Sequence, residues 1–266
     1  MSATTVKIHR HLATLESTPR IDRLRLAMLA EERVVSVDQA VITTEVYREH
    51  AEEPVIVRRA IALAEALKRL PIAITPGELI VGTRTPSVRA GIITPEAGAS
   101  WIDAEIETLP TRPQDKFGID QHTIDTFRDE VYPAWQGRSL EDVIRARYRS
   151  EIDEIAKVVK INQKDHAQGH ICPNVADWLA KGPAALAADA AVRGATATGA
   201  KADFYRAVEI TMRGVQAFEH RYADLADELA ASATPEDATD LREVAAVLRA
   251  IATRPAQSYH EALQSL

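Results

Sequence analysis

The longest amphipathic pattern in the chain runs from Asp203 to Leu229. Its apolar residues fall on one face of a helical repeat, and a helix of that length must bury the stripe against neighbouring elements. The rest of the sequence supplies helices for it to meet. Ile21, Leu24, Leu26, Met28 and Leu29 mark a helix over Arg20–Glu32, and Val41, Ile42 and Val46 mark a second over Asp38–His50. An Ala-rich third helix over Val57–Leu70 has Ile61, Leu63, Ala64 and Leu67 as its apolar positions, and Pro71 stops it.

The texture then changes. Ile72-Ala73-Ile74 and Leu79-Ile80-Val81-Gly82 are short β-prone runs around the turn Thr75-Pro76-Gly77, and Ile92-Ile93-Thr94-Pro95 predicts another extended piece. The rest of 83–100 reads as loop, a length that in a compact domain often carries function. Helices resume over Trp101–Leu109 and Asp120–Val131, with Asp120 as N-cap of the latter. Ser139 opens another, with Glu141 and Asp142 placed well against the helix dipole, and the pattern allows it to run through Val159. Further helices are expected over Val175–Leu179, Pro183–Val192 and Pro235–Ala252, the last capped by Thr234 with Asp237 in its first turn. A final helix begins at Ser258 and presents Tyr259, Leu263 and Leu266 as apolar surface. The fold class is mostly α with short β elements. Residues 1–19 are a polar, flexible lead-in, and 20–266 form the domain.

Composition narrows the functions. Hydrophobic residues are 46% and charged residues 27% of the 266, with a net charge of -7, so the chain is globular rather than disordered. The acidic balance argues against nucleic acid and anionic membrane as partners. One Cys excludes an internal disulfide framework. No apolar run approaches the roughly 18 residues of a membrane span, and the first residues lack a signal pattern, so the expected location is cytoplasmic.

The chemistry concentrates in Asn162–Asn174, where Lys164, Asp165, His166, Gln168, His170 and Cys172 crowd together. Gly169 frees the backbone and Pro173 removes an amide donor, so the run bends between helices as a polar loop does. The same residues fit a solvated interhelical loop. They also fit a zinc site through His166, His170 and Cys172, but no second ligand pair is evident and Ala167 stands where a metalloprotease motif has glutamate. Cys172, beside Ile171 and with no neighbouring base, reads as a small buried residue rather than a nucleophile. A substrate-orienting loop uses the groups differently. His170 exchanges a proton near neutral pH, Asp165 accepts, Gln168 donates and accepts, and Lys164 offers charge to an anionic group. Arg58-Arg59 and Glu31-Glu32 read as solvated faces or weak interface pairs.

Several runs together resemble the glycyl radical enzymes of the pyruvate formate-lyase family. They are Glu32-Arg33, Glu45-Val46-Tyr47-Arg48, Glu53-Pro54, Arg58-Arg59-Ala60, Leu70 to Ile74, Glu78 to Gly82, and Pro95-Glu96. Tyr132 to Gly137, Gly169-His170, Leu179 to Gly182, and Ser258 to Gln264 continue the match in order, from about Arg20 to Leu266. The branch resembled is that of dehydratases and C–X lyases, such as glycerol dehydratase, choline lyase and isethionate sulfite-lyase. The resemblance implies a ten-stranded α/β barrel wrapped in helices, of which this chain is the mostly helical N-terminal part. It implies a glycyl radical in the complete enzyme, installed by a radical S-adenosylmethionine activating enzyme, and a homodimer acting on a small polar substrate under anaerobic conditions. A C–O, C–N or C–S bond would be cleaved by radical elimination. The family's Cys-x-Glu and Arg-Val-x-Gly-Tyr-like motifs are missing from this sequence, Cys172 being followed by Pro173 and Asn174. No catalytic residue is therefore assigned, no cofactor or metal is expected to be bound, and the chain alone is expected to be inactive. His170 matches the family's substrate-contacting histidine, and Gln168, Asp165 and Lys164 are substrate-binding candidates by proximity. The alternative reading is a non-catalytic helical scaffold or interaction module of the same ancestry.

Overall fold

A computed structural model describes residues 17–158 and 173–266. Helix α1 (Pro19–Ala30) starts behind Thr18, whose side chain accepts from the Ile21 amide at 3.3 Å. The strand β1 (Val34–Ser36) follows, then α2 (Asp38–Glu49) and α3 (Val55–Arg69). These two helices form the crossover that a parallel pair needs, and β2 (Ala90–Ile92) returns beside β1 with Val34 opposite Ala90 and Ser36 opposite Ile92.

A run of short elements comes next. Helix α4 (Ser100–Glu105) tightens into a 3-10 turn over Ile106–Thr111. Helix α5 (Gln121–Thr126) is capped by Asp120, which accepts from the Thr123 amide at 2.7 Å, and it widens into a π turn over Phe127–Val131 before α6 (Tyr132–Trp135). Phe127, Val131 and Trp135 pack with Ile102, Ile106 and Ile124 in one core beside the strand pair. Tyr47 leans on Trp135 with ring centroids 4.9 Å apart, and the Trp135 indole donates to Thr44 at 2.8 Å.

The second half is a bundle. Helices α7 (Leu140–Arg147) and α8 (Arg149–Ala156) precede α9 (Val175–Gly194), α10 (Ala200–Ala230) and α11 (Pro235–Thr253), and α12 (Tyr259–Ser265) ends the order. The long α10 lies against α3, α9 and α11, as its amphipathic pattern requires. Ala223 and Ala226 meet Val244, Ala245, Leu248 and Ile251 of α11 in a second core. At Gly214 the backbones of α10 and α3 come so close that an added Cβ would stand 2.8 Å from the Ala64 Cα.

Three expectations change. Among the described residues the runs 72–74 and 79–82 pair with no strand, and the strands lie instead at Val34–Ser36 and Ala90–Ile92. The helix opened by Ser139 does not continue to Val159: Tyr148, at φ -125° and ψ 35°, divides it into α7 and α8. Arg58, expected on a solvated face, is half-buried with its Nε shielded from water and its guanidinium 5.0 Å from the Tyr47 ring centroid.

Candidate functional site

Lys164, Asp165, His166, Gln168, Gly169, His170 and Cys172 lie outside the described residues. What the structure defines is the frame on which that segment is mounted. On the entry side α8 closes with a turn at Lys157 and Val158. On the exit side Asn174 is a helix cap. Its Oδ1 accepts from the Asp177 amide at 3.3 Å, and its Nδ2 donates to the Asp177 carboxylate at 3.0 Å. The last residue of the polar stretch is thus committed to starting α9.

The direction of α9 is set two turns later. Gly182 takes φ 69° inside the helix, and an added Cβ would lie 3.1 Å from the Arg254 carbonyl oxygen. Only glycine tolerates both the conformation and the approach. Before the kink, the Trp178 indole donates to the carbonyl of Ser265 at 2.7 Å, so the part of α9 nearest the polar segment is tied to α12.

Helix α12 holds the other end of this frame. Ser258 caps it by accepting from the Glu261 amide at 3.1 Å. Glu261 accepts two hydrogen bonds from Arg254, at 2.7 and 2.8 Å, and one from the Gln257 amide at 2.6 Å. Those donors, Arg254 foremost, pull the Glu261 carboxyl down to about 2. Gln264 then completes the extended run 79–82: its Nε2 donates to the Val81 carbonyl at 2.7 Å, and its Oε1 accepts from the Val81 amide at 2.9 Å. One side-chain amide does what a strand neighbour would do, which is why this β-prone run has no strand partner. His260 adds a bond from Nε2 to the Leu79 carbonyl at 2.7 Å. From beneath, the buried Tyr222 hydroxyl donates to the Thr83 carbonyl at 2.9 Å.

Four runs singled out in the sequence therefore meet in space, the Leu70 to Ile74 bend, Glu78 to Gly82, Leu179 to Gly182 and Ser258 to Gln264, and Arg254 links the last two. Arg221 of α10 joins them by donating to the Leu67 and Leu70 carbonyls, each at 2.7 Å, at the end of α3. Sequence spacing offered no sign of Trp178, Arg221 or Arg254, since each acts through a backbone carbonyl or a partner on another element.

The pattern of the pyruvate formate lyase-like family matches residues 13–266. This chain belongs to that family. It is 30% identical over 267 aligned positions to a probable dehydratase, YbiW, of Escherichia coli strain K12, covering 95% of this chain and 33% of that protein. Its fold is similar to the glycerol-bound B12-independent glycerol dehydratase of Clostridium butyricum, with a TM-score of 0.87 and 25% identity over 94% of this chain and 33% of that one. A glycyl radical enzyme from Archaeoglobus fulgidus matches at a TM-score of 0.86 and 27% identity, over 92% of this chain and 33% of that one. The chain thus spans about a third of the length of these pyruvate formate lyase-like relatives, and the solved neighbours are barrels of which it forms only a part. Among the described residues, no group of three or more His, Cys, Asp and Glu side chains is placed to hold a metal ion. None of the described helices is long and apolar enough to cross a membrane.

Proposed function

We propose that this chain forms the substrate-facing helical layer of an anaerobic, cytoplasmic glycyl radical dehydratase or lyase. In the complete protein a glycyl radical, set by a radical S-adenosylmethionine activating enzyme, generates a thiyl radical on a barrel cysteine. The thiyl takes a hydrogen atom from a carbon of a small polar substrate. The adjacent C–O, C–N or C–S bond then breaks, and the thiol returns the hydrogen atom to the product. His170, with Gln168, Asp165 and Lys164 beside it, is assigned to hydrogen-bonding the substrate hydroxyl or leaving group. Two such proteins form a homodimer.

The observation that carries this reading is the frame itself. The Gln264–Val81 pair, the Arg254–Glu261 pair and the Gly182 kink fix α12 and α9, the helix that begins where the polar segment ends, in a fold matching a glycerol-bound dehydratase over 94% of the chain. The test uses the complete polypeptide, activated without oxygen. A glycyl doublet in its electron paramagnetic resonance spectrum and dehydration of a vicinal diol or a related small substrate are expected. The 266-residue chain alone should give no doublet, and a doublet there would overturn the reading.

His170→Ala in the complete enzyme should lower turnover at least tenfold with the radical yield unchanged. A lost hydrogen bond to a desolvated partner costs about 1–3 kcal/mol, and a decade of rate corresponds to about 1.4 kcal/mol. Turnover at the unmodified level in His170→Ala would remove that histidine from the site.

A further inference from the structure

A concave site apart from the α12 frame is lined in part by α3. It is a cleft of about 580 Å³ between α2, α3, the first half of α10 and the segment ending at Glu96. Arg59 and Arg84 line it, and Glu96 is its one carboxylate. Among the described residues, neither arginine makes an ion pair with a carboxylate. Arg84 donates instead to the neutral amide oxygen of Gln39 at 2.8 Å, and the charge of Arg59 acts on the Tyr47 hydroxyl, partly offsetting the rise that burial causes.

Arg221 makes an instructive comparison. Burial lowers both Arg84 and Arg221 from the ordinary guanidinium range. Arg221, however, spends its charge on two carbonyls at the C-terminal end of α3, where the helix dipole is negative. Arg84 has only the Gln39 amide oxygen and, at longer range, the charge of Glu96 to offset its desolvation. Two exposed guanidiniums that line one cleft, Arg84 partly desolvated there, form a receptor for an oxyanion, because the planar N–H fork matches two oxygens of one group. The Tyr47 hydroxyl provides a further donor, and the half-buried Arg58 above its ring reinforces the positive field.

The facing wall is different in kind. Leu63 of α3 and Phe204, Val208 and Met212 of α10 line the cleft with apolar side chains, and Leu63 and Phe204 remain 47% and 50% exposed. An inorganic anion would use the arginines and leave that wall wet. An organic acid with a short hydrocarbon tail would use both.

We propose that this cleft binds a short-chain aliphatic carboxylate, with its carboxylate on Arg59 and Arg84 and its chain along Leu63, Phe204 and Met212. The site goes beyond the proposed radical chemistry and stands on its own residues.

Calorimetric titration of the 266-residue chain with hexanoate, acetate and inorganic phosphate, at constant ionic strength, tests it. Hexanoate should bind more than about tenfold tighter than acetate, since each buried methylene contributes about a fourfold gain. Arg84→Gln and Arg59→Gln should each weaken hexanoate about tenfold or more, while Arg242→Gln, on the exposed face of α11, should leave it unchanged. Phe204→Ser changes a half-exposed side chain and leaves both arginines in place; with folding checked by circular dichroism, it should weaken hexanoate and spare acetate. Phosphate binding as well as hexanoate, equal affinity for acetate and hexanoate, no effect of Phe204→Ser, or no binding heat would overturn the proposal.

Discussion

The two cores of this domain exclude water by opposite means. The bundle around α10 makes its closest approaches through small residues, although Tyr222 and Leu248 are also buried there. Ala223 and Ala226 press on α11, and Gly214 lets α10 reach the backbone of Ala64 in α3. The core beside the strand pair is built from large ones, with Phe127, Trp135 and Ile106 filling the space between short and irregular elements. Small residues allow long helices to run close together, so each contact is shallow and there are many of them. Large residues let one side chain join several short segments that could not otherwise touch. The bundle should therefore suffer from added atoms, and the aromatic core from removed ones.

The largest expected effect tests the aromatic side. Phe127 is fully buried in the π turn, and Phe127→Ala should cost about 3–5 kcal/mol through the lost transfer energy and the cavity. Denaturant unfolding followed by near-ultraviolet circular dichroism measures it. A loss below about 1 kcal/mol would mean that the short elements collapse onto the gap and that the comparison has been drawn too sharply.

The next effect has the opposite sign and concerns Glu219, a buried carboxyl on α10 whose Oε2 has no hydrogen-bond partner. Burial pushes it up to about 8, against 4.5 for a free glutamate. Below pH 4.5 folded and unfolded chains both keep the proton. Between 4.5 and 8 the unfolded chain gives it up first, so stability falls as pH rises, and above 8 the cost is constant. Glu219→Met should flatten this slope and raise stability by about 3 kcal/mol at pH 8.5, with little gain at pH 4. Parallel pH profiles for the two proteins would show that Glu219 has a charge partner in solution.

The smallest effect tests the bundle's close approach. Gly214→Ala places a methyl against the Ala64 backbone and should cost about 2 kcal/mol despite the better helix propensity of alanine. Thermal melting at matched pH gives the sign, and a rise in Tm would show that the helices part at no cost.

The same contrast accounts for what could be read in the sequence. Helices α2, α3, α10 and α11 follow their predicted bounds within a few residues because each buries one periodic stripe. The caps at Asp120, Ser139, Thr234 and Ser258 are local devices, and all four are found. Three-residue strands leave no periodicity to detect, and Tyr148 divides α7 from α8 without a glycine or proline to announce the break. The run at Val81 misled because its partner is a side chain far along the chain. Arg59, Arg84 and Tyr47 share a cleft only through the packing of separate elements, which spacing does not encode. The polar segment was legible as a concentration of chemistry. It lies outside the described residues, and its role stays with the proposal.

The pairing of Gln264 with Val81 spans 183 positions, and this has a consequence for how the protein is made. At a synthesis rate of about 5–20 residues per second, Val81 leaves the ribosome about 10–40 s before Gln264 is available. Helices α2 and α3 can form in that interval, since their bonds are local. The peptide groups of Val81 cannot be matched natively until α12 arrives. For those seconds the nascent chain carries an extended apolar segment with open hydrogen-bonding groups. That segment is where a chaperone would find its grip, and where crowded synthesis would first go wrong.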